Sequence, residues 1–97
     1  MRLRFTPRAV QNLAAIADYI CAHDPVAAQQ VRAAIYASFQ RLIIFPSIGR
    51  LQQAKGVRKL TTPKYPYLIY YTIDEGAEEI IILNVKHAAQ RREHTDA

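Results

Sequence analysis

The chain is 97 residues long, 51% hydrophobic, and carries a formal net charge of +5. That length suits one domain, residues 1–97, whose modest core buries roughly 60 to 70% of the unfolded surface. Cys21 is the single cysteine, which excludes an intramolecular disulfide, and the longest purely apolar runs, Leu42 to Pro46 and Ile80 to Leu83, are far too short for a bilayer. The chain therefore reads as a cytoplasmic protein with neither signal peptide nor membrane helix.

Arg2 to Phe5 alternates, with Leu3 and Phe5 on one side and Arg2 and Arg4 on the other, which predicts a short strand. Thr6-Pro7 supplies an N-cap and a first helical position, and Val10, Leu13, Ala17 and Ile20 predict a helix to about Cys21 or Ala22. Cys21 falls on or beside that apolar face, where a small buried hydrophobe is expected. Asp24-Pro25 opens a second helix by the same device. Ala28, Val31, Ile35, Phe39 and Leu42 form its single apolar stripe, and Pro46 ends it. The short link predicts an antiparallel helical hairpin.

Beyond Pro46 the pattern changes to turn and strand. Ser47 to Gly56 is a polar loop, and Val57 to Leu60 predicts a short strand. Tyr67, Ile69, Tyr71 and Ile73 alternate with Leu68, Tyr70 and Thr72, a clear strand of period two. Asp74-Glu75-Gly76 turns the chain. Glu79 to Val85 carries isoleucine on both faces and is expected to be a central strand covered twice. Residues 88–97 read as a polar, mobile tail. The fold class is α+β: an N-terminal strand, a helical hairpin, a three-stranded antiparallel sheet and the tail.

The placement of charge says more than its total. Between Asp24 and Asp74 there is no Asp or Glu, yet that interval holds Arg32, Arg41, Arg50, Lys55, Arg58, Lys59 and Lys64. Within it, bases and aromatics interleave from Val57 to Tyr71, a surface suited to phosphates, bases or an acidic peptide. His23, His87 and His94 are far apart, with no cysteine or carboxylate at ligand spacing, so no metal site and no cofactor are expected. Thr61 and Thr62 lack a Ser-His-Asp arrangement, and there is no Gly-rich phosphate loop.

Phe45-Pro46 with Gly49-Arg50, Val57-Arg58-Lys59-Leu60, Tyr65-Pro66-Tyr67-Leu68-Ile69-Tyr70-Tyr71 and Ile82-Leu83-Asn84-Val85-Lys86-His87, in that order, resemble the RelE/ParE toxin superfamily over nearly the whole chain. The resemblance implies the toxin of a bacterial type II toxin–antitoxin (plasmid stabilisation) system. Its cognate antitoxin would wrap the basic surface with an acidic or amphipathic segment, and neither a membrane nor a small-molecule substrate is expected.

RelE-like members are ribosome-dependent endoribonucleases acting on messenger RNA, whereas ParE-like members poison DNA gyrase without a hydrolytic site of their own. If the chain is a nuclease, Arg58 grips phosphate and His87 moves protons. Ala88, however, stands where those nucleases place a tyrosine. Arg50, Lys59, Lys64, Tyr65, Tyr67, Arg91 and Arg92 are the residues expected to meet target or antitoxin. The Tyr65-Pro66-Tyr67 strand, the absence of a tyrosine after Tyr71 and the long helical hairpin put the ParE-like branch ahead. The alternatives are an mRNA interferase and a toxin-fold protein that only binds antitoxin.

Overall fold

Thr6 and Asp24 each place a side-chain oxygen over the first turn of the helix that follows. In the computed structural model, which describes residues 1–88, the Thr6 hydroxyl accepts from the Ala9 amide at 3.1 Å and opens α1 (Pro7–His23). The Asp24 carboxylate accepts from the Ala27 amide at 3.1 Å and opens α2 (Pro25–Ile44). Proline at the first position of each helix forfeits only an N–H that has no intrahelical partner there. Asp24 also closes α1, its backbone N–H reaching the Ile20 carbonyl at 2.6 Å, so one residue makes the whole turn of the hairpin.

The stripe expected on α2 is the one buried: Val31, Ile35, Phe39 and Leu42 are all in the core. On α1 the buried stripe is instead Ala9, Leu13, Ile16 and Ile20. Val10 is 55% exposed, and Ala17 and Cys21 are exposed with it. This helix carries apolar residues on two faces, and the sheet covers one of them. The expectation of a buried Cys21 is corrected accordingly.

The strands form one five-stranded sheet in the order β1-β5-β4-β3-β2. β1 (Arg2–Phe5) runs parallel to β5 (Glu79–His87), while β4 (Tyr67–Asp74), β3 (Val57–Thr61) and β2 (Arg50–Leu51) continue antiparallel from it. The three expected antiparallel strands are present. The N-terminal strand joins their sheet, and the loop 47–56 contains a two-residue edge strand that its polar sequence did not announce. Both helices lie on the same side as the core, where Leu3, Phe5, Leu60, Tyr67, Ile69, Tyr71, Ile80, Ile82 and Val85 meet them. β5 is buried on this face at Ile80, Ile82 and Val85; elsewhere along it Asn84 is buried while Ile81 and Leu83 are partly exposed, so the expected double covering holds only in part.

One irregularity decides which side chains look where. Tyr70 pairs with Asn84 and Tyr71 with Ile82, leaving Leu83 without an opposite residue. An extra residue in one strand inverts its alternation. Before the bulge Ile80 and Ile82 face the helices; after it Val85 and His87 do, and Asn84 and Lys86 turn to the other side.

Candidate functional site

On the helix-covered face the side chains are engaged with the protein itself. Arg58 lies opposite Tyr71 in the β3–β4 ladder, and its Nη1 donates to the carbonyls of Ser47 at 3.1 Å and Gly49 at 2.8 Å. The Tyr71 hydroxyl donates to the Pro46 carbonyl at 2.6 Å and accepts from the Gly49 amide at 2.9 Å. These four bonds strap the turn after α2 onto the sheet. A Cβ on Gly49 would stand 2.5 Å from the Tyr71 hydroxyl oxygen, so glycine is required there by space. Burial pushes the Tyr71 hydroxyl pKa above 10.0, against the opposing pull of the Gly49 amide and the Arg58 charge.

Further along this face, Tyr67 is buried and stands edge-on to His87, with ring centroids 5.2 Å apart. The two rings, with Ala15, Ile16 and Tyr19 of α1, line a cleft of about 500 Å³. Burial, and secondarily Tyr19, raises the Tyr67 pKa. Tyr65 donates to Gln30 Oε1 at 2.6 Å and so ties the β3–β4 turn to α2. Lys64, at φ 72° in that turn, holds its ammonium 5.9 Å from the Tyr65 ring centre.

Among the described residues no helix lies over the opposite face, although Leu68 and Tyr70 on it are buried, and the ladders order it in rows. Arg50, Lys59, Tyr70 and Asn84 stand opposite one another across β2, β3, β4 and β5, and Thr61, Leu68 and Lys86 form the next row. Directly opposed residues share a face of the sheet. Lys86 Nζ lies 5.7 Å from the centre of the Tyr70 ring, within cation–π reach. Asn84 is 7% exposed and its Oδ1 has no hydrogen-bond partner among the described residues, which costs on the order of 1 to 3 kcal/mol. At the far end Arg2 and Arg4 reach Glu79 at 3.1 and 3.4 Å. Exposed pairs of this kind contribute little stability, and Arg50, Lys59 and Lys86 stand toward the other end of the face.

The residues expected from sequence thus divide between the faces. Arg50 and Lys59 are on the open face, whereas Arg58, Tyr67 and His87 are on the covered one. Arg58 and His87 are not brought together: they stand opposite residues four apart on β4, on the strands flanking it, which separates their backbones by roughly 16 Å. Arg91 and Arg92 lie outside the described residues. The partly exposed Lys86, and the buried Asn84 and Tyr70 in the same rows, were not among the residues expected from sequence. Their signal was faint but present, because unbroken alternation from Ile80 and Ile82 would drive Asn84 and Lys86 into an apolar core.

A capped helical hairpin on one side of a β1-β5-β4-β3-β2 sheet, with a basic open face, defines the class of small α+β toxins of the RelE/ParE superfamily. The family model described as the ParE toxin of the type II toxin–antitoxin system parDE matches residues 3–92, and the chain belongs to that family. The protein Y4kP of Sinorhizobium fredii is 39% identical over 90 residues, covering 93% of this chain and 91% of its own length. Toxin RelE2 of Caulobacter vibrioides is 34% identical over 86 residues, covering 89% and 93%. A chain of the chromosomal ParDE system from P. aeruginosa superposes with a TM-score of 0.76 at 27% identity, covering 90% of this chain and 95% of that one. The isolated E. coli RelE toxin shares the fold, with a TM-score of 0.66 at 13% identity over 98% and 92% of the two chains.

Proposed function

We propose that this toxin is directed at DNA gyrase, acts without hydrolysis of its own, and is held silent by a cognate antitoxin protein. The observation that carries the reading is the bulge at Leu83. Cleavage of RNA by a ribose 2′-hydroxyl needs a proton carrier beside the cations that stabilise the crowded phosphate, and such a carrier contributes on the order of 10²- to 10⁴-fold. The bulge turns His87 toward α1 and Tyr67, while Lys59, Lys86 and Arg50 look out from the other side of the sheet. Arg58, the other nuclease candidate, spends its Nη1 hydrogen bonds on two backbone carbonyls. A basic face that holds a partner without transferring protons suits a toxin that poisons another enzyme. The match to the parDE toxin family and the likeness to the P. aeruginosa ParDE system support the same branch. The antitoxin is supported by relatives solved as complexes, among them E. coli RelBE and RelBE2 of Mycobacterium tuberculosis.

The test exposes the purified chain to two targets side by side. With gyrase and supercoiled plasmid, covalently cleaved DNA is expected to accumulate; with ribosomes and message, the message is expected to stay intact. Metal-independent cleavage of message on the ribosome, with gyrase unaffected, would overturn the proposal. Indifference of both targets would overturn it in favour of a chain that only binds antitoxin.

A further inference from the structure

The corner where α2 ends and β2 begins carries four large apolar side chains within eight residues. Ile44 is 67% exposed, Phe45 58%, Ile48 38% and Leu51 62%. Single exposed hydrophobes are ordinary on a protein surface, but adjoining ones at a fixed corner mark a contact site. The Ile48 amide donates to the Phe45 carbonyl at 3.2 Å, folding those two residues into one turn. Leu51 stands opposite Arg58 in the ladder, on the side where that arginine grips the Ser47 and Gly49 carbonyls. The patch is therefore mounted on the strap made by Tyr71 and Arg58. Such a surface loses little conformational freedom when covered, which favours affinity. It also adjoins β2, the last strand of the sheet.

The surroundings say what covers it. Arg41 lies one turn before Ile44, Arg50 lies between Ile48 and Leu51, Lys55 follows in the next loop, and no acid occurs from residue 25 to residue 73. A second copy of this chain docked through the same corner would bring cations against cations. A segment with apolar residues flanked by Asp or Glu matches both the patch and its rim.

We infer that this corner is the docking site for an acidic, amphipathic segment of the antitoxin; the inference rests on reading the chain as a toxin with such a partner. Arg50 belongs both to the rim of the patch and to the row Arg50, Lys59, Tyr70, Asn84. A segment bound at the corner therefore borders the open face and obstructs a target approaching it.

Ile44→Ser and Leu51→Ser remove exposed side chains and leave the strap intact. In titration calorimetry of the full-length chain, with the purified product of the adjoining reading frame as probe, each substitution is expected to raise Kd about tenfold and the pair about a hundredfold. Wild-type affinity is also expected to fall as salt rises from about 0.05 to 0.5 M, where screening shortens several-fold. Affinity unchanged by both substitutions overturns the inference, and if gyrase poisoning is lost at the same time the corner belongs to the target. A wild-type chain that sediments as a dimer, and that Leu51→Ser makes monomeric, overturns it in favour of self-association. Patch-dependent binding with gyrase untouched upholds this inference and removes the gyrase reading. A probe that fails to bind the wild-type chain overturns the antitoxin reading and this inference together.

Discussion

The two faces of the sheet are built from alternate residues of the same strands, yet they are finished differently. On the covered face Arg58, Tyr71 and Gly49 satisfy one another, and Tyr67 and His87 pack against each other beside α1. On the open face the buried Oδ1 of Asn84, among Tyr70, Lys86 and Lys59, has no partner among the described residues. The covered face is completed within the chain, and the open face is the one the proposed function gives to a partner. The lesson concerns reading basic, aromatic strands: residue type nominates a base or a tyrosine, but the ladder position decides which of the two duties it has.

The covered face gives way most easily at the strap. Gly49→Val places side-chain atoms where the Tyr71 ring already stands, its Cβ alone 2.5 Å from the hydroxyl oxygen. A destabilisation of about 3 kcal/mol, at the upper end of ordinary overpacking, is expected in urea denaturation. A loss below about 0.5 kcal/mol would mean that the strap does not hold the covered face.

Tyr71→Phe deletes the hydroxyl and leaves the Pro46 carbonyl and Gly49 amide unpaired, for an expected loss of about 1 to 3 kcal/mol. The same variant has a second signature, in pH. Below about pH 10 the hydroxyl is protonated in both the folded and unfolded chain. Burial holds the folded pKa higher, so as pH rises the unfolded chain releases its proton first and stability falls until the folded pKa is passed. Tyr67 is shifted in the same direction for the same first cause. Tyr71→Phe is expected to flatten this alkaline decline, measured as the urea midpoint between pH 9 and pH 11, and an unchanged slope would remove Tyr71 from the account.

The open face is expected to answer with the opposite sign. Asn84→Leu removes an acceptor that the chain does not satisfy, so stability is expected to stay level or to rise by up to about 1 kcal/mol. A loss above about 1 kcal/mol would show that Asn84 serves the fold rather than a partner. Smallest of all, His87→Ala is expected to leave gyrase poisoning within about twofold of wild type, since the ring faces the cleft with Tyr67 and α1. A loss on the order of 10²-fold, of the kind that follows removal of a proton carrier, would revive the nuclease reading.

Much of the fold was legible because the local signals agreed with one another. Thr6-Pro7 and Asp24-Pro25 announce both helix starts, and the Ala28 to Leu42 stripe gives the buried face of α2. The face of α1 was less legible, because Val10, Ala14, Ala17 and Cys21 make a second apolar stripe and only packing selects between the two. β2 escaped notice because two polar-flanked residues carry no periodicity. The division of the site depended on the bulge at Leu83, a register event between strands that no single strand's composition reports. Arg58 and His87 were nominated for the chemistry their types permit, and the ladder then put the first under a turn and the second beside a helix.

Lys59→Ala with Lys86→Ala asks whether the open face is the working surface of a gyrase poison. Both positions are partly exposed and lie outside the core cluster, so the variant is expected to keep the wild-type urea midpoint. Gyrase-dependent accumulation of cleaved plasmid is expected to fall at least tenfold, with no message cleaved on ribosomes by variant or wild type. Undiminished plasmid cleavage by the folded double variant would contradict the claim.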